Sequence, residues 1–170
     1  MLGVFIGEHD NKIDAKGRLS IPAEFRRELE DADPKWESGK PARMVIVYGD
    51  ERRNYLEVFS VADLQRVHAQ IATLPRGSRK RAELQRLYAH QVVMATVDET
   101  GRIVLGSKLR GKLDLKDRAL VVGNGETFMI WQPETYENDA MPGLMEEDDF
   151  DPTLDPSTWL PGGGGPLMDL

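Results

Sequence analysis

The sequence predicts an α+β fold built from two fused copies of a β-hairpin and short-helix unit. Three observations predict it. Lys12-Ile13-Asp14-Ala15-Lys16-Gly17-Arg18-Leu19-Ser20-Ile21-Pro22-Ala23-Glu24-Phe25-Arg26 is echoed by Thr96-Val97-Asp98-Glu99-Thr100-Gly101-Arg102-Ile103-Val104-Leu105-Gly106-Ser107-Lys108-Leu109-Arg110, at an offset of 84 from Asp14 to Asp98 and from Arg26 to Arg110. Repetition in fixed register marks one supersecondary unit used twice. Short strand and helix patterns follow one another in mixed order. After residue 137 the chain turns acidic and rich in Pro and Gly. The expected organisation is a first repeat with a helical pair over 1–88, a second repeat over 89–137 and a flexible tail over 138–170.

Along the first copy, Ile13 and Leu19-Ser20-Ile21 flank Asp14-Ala15-Lys16-Gly17. Asp closes an Asx-turn and Gly takes a positive φ without steric cost, so a four-residue hairpin is expected. Pro22 suits the first turn of a short helix, and Phe25 and Leu29 would share its buried face. Residues 30–43 read as a loop. Met44 to Tyr48 reads as a buried strand, and Tyr55 to Phe59 alternates like a half-buried one. Ser60 with Asp63 resembles a capping box, ahead of Val61, Leu64, Val67, Ile71 and Leu74 at helical spacing. Pro75-Arg76-Gly77 breaks that helix. Ser78 caps a second one carrying Leu84, Leu87 and Tyr88.

The second copy is shorter. Val92 to Val97 leads into the second turn, followed by Ile103-Val104-Leu105 and a helix through Leu109 and Leu113. Leu120-Val121-Val122 and Phe128 to Trp131 bracket Gly123-Asn124-Gly125, where Asn-Gly signals a hairpin. A short stretch near Tyr136 is all that answers the first copy's helical pair. In the tail, Phe150, Leu154, Trp159 and Leu160 are the apolar anchors, and disorder is the expectation.

The net charge of −7 conceals a division. Eleven of the 29 acidic residues follow Arg118, where there is no lysine or arginine, so the first 118 residues hold 18 acids against 22 bases, a net of +4. A mildly basic body with an acidic tail points to polyanion contact. No cysteine means no disulfide framework, thiolate metal site or thiol nucleophile. Met1-Leu2-Gly3-Val4-Phe5-Ile6 has no basic leader, and no apolar run approaches the length of a bilayer span. A cytoplasmic protein is expected, with no membrane partner, cofactor or small-molecule substrate.

What recurs is an arginine on a tight turn. Arg18 and Arg102 each follow a turn glycine at the start of a strand. A plain surface arginine, or a structural Asp14–Arg18 pair of little energetic value, is the simpler reading of one copy. Two copies in register favour guanidinium groups aimed at phosphate or a guanine edge, which their planar forks fit. Catalysis has no candidate. His9, His68 and His90 lack metal-ligand spacing, and no phosphate-cradling loop, nucleophile elbow or His-Glu-x-x-His occurs.

The stretch Asp14 to Arg26 closely resembles the first signature of the MraZ family, bacterial transcriptional regulators of the division and cell-wall gene cluster. Asp98 to Leu105 with Lys108-Leu109-Arg110 resembles the second, and Val121 to Glu134 also looks like this family. The likeness covers roughly residues 3–137, without the tail. It implies an AbrB-like swapped-hairpin (double-split β-α-β) barrel, a ring-shaped homo-oligomer, and binding to double-stranded DNA at tandem short G-rich repeats upstream of the family's own operon, at the nucleoid, with action as a repressor or as an activator left open. The family's DNA-contacting arginines match Arg18 and Arg102. Lys16, Arg26, Arg27, Lys108 and Arg110 are expected to face phosphates nearby, a solvated surface being the alternative for each. Gly106 stands where the family usually has proline, so the helix from Ser107 is expected to be looser and Lys108 and Arg110 less well aimed.

Two alternatives stay open at this point: an AbrB-like antitoxin or transition regulator, and an oligomeric protein-interaction scaffold. The basic run Arg76, Arg79, Lys80, Arg81 and Arg86 reads first as a solvated face or subunit contact, with direct DNA contact as a second reading. A clasp with Glu146 to Asp149 would instead make deletion of 138–170 tighten DNA binding, and unchanged affinity would count against it.

Overall fold

Exchange of strands between the two copies dominates the architecture. The computed structural model describes residues 2–139 and 147–161. They fall in two compact units, Met1–Ala140 and Met141–Leu170. In the first unit the order is β1 (Glu8–Lys12), β2 (Arg18–Ser20), α1 (Ala23–Asp31), β3 (Arg43–Val47), β4 (Leu56–Phe59), α2 (Val61–Ile71), α3 (Arg79–Gln85), a π-helical turn over Arg86–His90, β5 (Val92–Thr96), β6 (Arg102–Val104), α4 (Ser107–Leu113), β7 (Arg118–Asn124), β8 (Thr127–Trp131) and α5 (Pro133–Asp139). The α+β class predicted from the sequence is thus observed.

Six antiparallel strands form one sheet in the order β1-β7-β8-β4-β3-β5, and β2 pairs with β6 in a separate ribbon. The first strand of each copy lies against the third strand of the other. Glu8 faces Val122 and Lys12 faces Arg118, while Val92 faces Val47 and Thr96 faces Arg43. The sheet order therefore reads the same from either end once the copies are interchanged.

This pairing revises the two local hairpins. Both turns form, with Gly17 at φ +83° and Gly101 at +82°. The strands leaving them separate from those entering; only a single bridge, Ile13 to Leu19, closes the first. Leu19 instead pairs with Ile103 across the copies. Hydrophobic burial decides this: Leu19 is 0 % and Ile103 1 % exposed. Burying two such side chains stabilises by about 1.5–3 kcal/mol each, more than an isolated two-stranded hairpin offers.

The core is built twice at the same offset. Ile13 and Val97, Leu19 and Ile103, Ile21 and Leu105, Phe25 and Leu109, and Leu29 and Leu113 are all buried. Phe5, Phe25 and Phe128 meet at ring-centroid distances of 5.0–5.2 Å. A smaller cluster of Val45, Val47 and Phe59 is covered by Leu64 and Val67 of α2 and by Leu87 and Tyr88 of the π-turn. The expected caps are present: Ser60 accepts from the Asp63 N–H and Ser78 from the Arg81 N–H. Gly106 adopts φ −64° at the N-cap of α4, close to the −52° of Pro22 at the N-cap of α1. Glycine thus takes the proline-like conformation here without being locked into it.

Between β7 and β8 the hairpin sits one residue later than Asn-Gly implies. Asn124 pairs with Thr127, so Gly125-Glu126 is the loop. Gly125 has φ +79°, as the first position of a type II′ loop requires. In the second unit, residues 147–161 contain a 3₁₀ turn over Pro156–Trp159, and Phe150 lies 4.9 Å from Trp159 between ring centroids. Phe150, Leu154, Trp159 and Leu160 are exposed. Glu146 and the glycines 162–165 lie outside the described residues.

Candidate nucleic-acid interface

Each repeated turn is organised by its aspartate. Asp14 Oδ1 accepts the backbone N–H groups of Lys16 and Arg18, both at 2.9 Å. Asp98 Oδ1 accepts those of Thr100 at 2.9 Å and Arg102 at 3.0 Å. A carboxylate that accepts several N–H bonds is stabilised in its charged form. The Arg18 backbone N–H, chiefly, lowers the Asp14 pKa from its usual 3.8, and that of Arg102 does the same for Asp98.

The turns are then locked to the opposite copy. The Ile21 N–H donates to the Gly101 carbonyl at 2.9 Å, and the Leu105 N–H donates to the Gly17 carbonyl at 2.8 Å. Arg110 lies over Gly17 and Arg26 over Gly101, each guanidinium within about 3 Å of where a Cβ would stand. Glycine is needed at both places for its positive φ and for this close approach. Arg110 Nε also donates to the Leu105 carbonyl at 2.9 Å. Arg26 and Arg110 therefore brace the turns from the opposite copy.

Arg18 and Arg102 come together. Arg18 Nε donates to Asp14 Oδ2 at 2.6 Å, and Arg102 Nη1 reaches the same oxygen at 3.6 Å. Their side chains are 33 % and 30 % exposed, so both open on one surface. Arg102 Nε also donates to Thr100 Oγ1 at 2.9 Å. Thr100 is a positioning group that sequence reasoning missed, and Asp14, read from the sequence as a partner of Arg18 alone, also meets Arg102. The fixed offset marks the turns as equivalent, but it carries no sign that they touch across copies.

The other candidates divide. Lys16 is exposed on the first turn. Arg27 is exposed on α1. Lys108 is held elsewhere: its Nζ lies 4.5 Å from the Tyr48 ring centroid and 3.2 Å from the Tyr48 hydroxyl. Its counterpart in the first copy is Glu24. In the basic run, Arg79 is 92 % exposed, whereas Arg81 donates to the Leu74 carbonyl at 2.8 Å and so fastens the α2–α3 connection. Among the described residues no cluster of His, Cys, Asp or Glu could hold a metal ion. No helix among them is long and apolar enough to cross a membrane.

The chain matches the model of the family described as "MraZ protein, putative antitoxin-like" over residues 4–87 and 89–141. It is 51 % identical over 166 residues to the transcriptional regulator MraZ of Ruegeria sp. (strain TM1040), covering 95 % of this chain and 97 % of that relative. It is 47 % identical over 162 residues to the protein of that name in Ruegeria pomeroyi, with the same coverage. For that of Cereibacter sphaeroides (strain ATCC 17029 / ATH 2.4.9) the figure is 39 % over 143 residues, 80 % of this chain and 84 % of the relative. Coverage of 95 % takes the likeness to the two Ruegeria proteins into the tail, beyond the residue 137 expected from the motifs.

Proposed function

The chain belongs to the MraZ family, and on that premise we propose that this transcriptional regulator binds duplex DNA through the surface where Arg18 and Arg102 meet. The observation that carries the reading is the shared carboxylate of Asp14, which holds two guanidinium groups on one face. Each group stands on a turn fixed by backbone hydrogen bonds from the other copy. A planar fork on a stiff support suits bidentate contact with a guanine edge or a phosphate. Lys16 adds an exposed charge for the backbone, while Arg26 and Arg110 keep the turns in shape. Regulation in this reading needs binding and release only, and no catalytic group.

The exchange of first strands between copies supports an AbrB-like swapped-hairpin barrel, with 1–88 and 89–137 as interleaved repeats and 138–170 as a tail. Two bidentate contacts discriminate by about 2–6 kcal/mol together, whereas specific and non-specific DNA binding differ by roughly 4–10 kcal/mol. Several subunits on one assembly close that gap by raising effective concentration. A homo-oligomeric ring meeting tandem G-rich repeats, roughly one helical turn apart, presents the same groove face to successive subunits. The target is the DNA upstream of the chain's own operon, and the site of action is the cytoplasmic nucleoid. Competition between that upstream DNA and a scrambled duplex of equal composition tests the reading. Strong preference for the upstream DNA is expected; equal binding favours a protein-interaction scaffold instead.

A further inference from the structure

The two turns are alike in backbone and unlike in charge. Between residues 12 and 18 stand Lys12, Asp14, Lys16 and Arg18, a net of +2. Between 96 and 102 stand Asp98, Glu99 and Arg102, a net of −1. The repeat exchanges Lys12 for Thr96, Ala15 for Glu99 and Lys16 for Thr100, and all six side chains are exposed. The shared carboxylate makes the two turns unequal in geometry as well. Arg18 is bonded to the aspartate of its own turn at 2.6 Å. Arg102 lies 3.9 Å from Asp98 and reaches across to Asp14 at 3.6 Å.

We infer that each subunit lies on the duplex in one direction only, with the first turn as the main phosphate anchor and Lys12 and Lys16 as the residues that set the orientation. The inference rests on the DNA-binding reading above. Two turns related by an internal two-fold and equal in charge would fit a duplex equally well either way round, because the double helix has local two-fold symmetry of its own. Protein two-fold symmetry is mirrored in palindromic sites. A difference of three charges between the turns removes that equivalence, since affinity for the phosphate backbone grows with each lysine or arginine contact. Glu99 repels phosphate at the place where Ala15 is neutral. A subunit of this kind suits a short repeat that is not palindromic, and copies arrayed head to tail would read such repeats in a common direction.

The native chain has no cysteine, so Ala15→Cys supplies a single attachment point, exposed on the first turn. An iron chelate attached there cleaves the DNA strand nearest to that turn. The probe duplex is the DNA upstream of the chain's gene. Cleavage on one flank of each protected repeat is expected, and equal cleavage on both flanks overturns the inference. A second variant carries Lys12→Thr, Lys16→Thr, Thr96→Lys and Glu99→Lys together with Ala15→Cys, which moves the excess positive charge from the first turn to exposed positions of the second and leaves Thr100, the partner of Arg102, in place. It should lose or reverse the one-sided pattern; an unchanged pattern means that the lysines do not set direction. Lys16→Thr alone should lower the slope of log affinity against log salt by about 1, which is about 3.5-fold less loss over a fourfold rise in salt. If the native chain shows no preference for this DNA over scrambled duplex, the binding reading itself has failed. Specific binding with symmetric cleavage overturns the directional inference alone.

Discussion

Alanine at the two turn glycines should have unequal effects. Both residues have positive φ, +83° at Gly17 and +82° at Gly101. That conformation costs a side-chain-bearing residue roughly 1–2 kcal/mol. At Gly101 the added Cβ meets the Arg26 guanidinium at 2.9–3.0 Å, the far end of a flexible side chain that can swing aside. At Gly17 it meets the Leu105 carbonyl oxygen at 2.5 Å. That oxygen is backbone, held by Arg110 Nε, and the adjoining Leu105 N–H is bonded to Gly17 itself. Relieving the overlap requires a backbone shift, worth about 1–3 kcal/mol more. Gly17→Ala should therefore cost about 2–5 kcal/mol and Gly101→Ala about 1–2. Urea unfolding of the two variants beside the native chain measures the difference. For a protein of this size each kcal/mol corresponds to about 2–4 °C in Tm, so thermal melts give an independent check. Equal losses, or a larger loss at Gly101, would refute the view that Gly17 is held against rigid backbone of the opposite copy and Gly101 only against a movable side chain.

The acidic limb of the stability profile offers another test. Asp14 and Asp98 have folded pKa values below the usual 3.8. Their contribution is therefore complete above that value and is lost as pH falls through the folded pKa. The stability gap between the native chain and Asp14→Asn should be steady near neutrality and narrow below about pH 4; a gap independent of pH would contradict the assignment. Gly106→Pro should stabilise by about 0.4–1 kcal/mol, because φ −64° already suits proline and nothing lies within 4 Å of the added Cβ. Destabilisation in a melting experiment would show that the N-cap of α4 depends on something other than backbone freedom.

The repeated turns, their glycines and the apolar positions after them were legible because local chemistry dictates them. Asp at one end and Gly at the other define the turn whatever surrounds it. The caps at Ser60 and Ser78 were legible for the same reason. β1 was not: Glu8-His9-Asp10-Asn11-Lys12 has no apolar alternation, and these residues become a strand because β7 offers its edge to them. Nor was the β2–β6 ribbon legible, since Leu19 and Ile103 lie far apart in sequence and each fits a local hairpin equally well. At the candidate site the arginines were found by recurrence, but their meeting at Asp14 depends on the fold of both copies. Arg26 and Arg110, read from the sequence as facing phosphates, pack on the glycines of the facing turns, a contact that no spacing rule shows. Lys108 was drawn away by Tyr48, a residue from the other copy that no spacing rule connects to it.

The central claim is that DNA is held by two guanidinium groups brought to one surface by the pairing of the copies. Its most direct test is duplex binding by the Arg18→Ala/Arg102→Ala double variant, measured against upstream and scrambled DNA. Melting and sedimentation are followed in parallel. The account predicts loss of preferential binding with Tm and oligomer size unchanged. Full preference for the upstream sequence in that variant would contradict it.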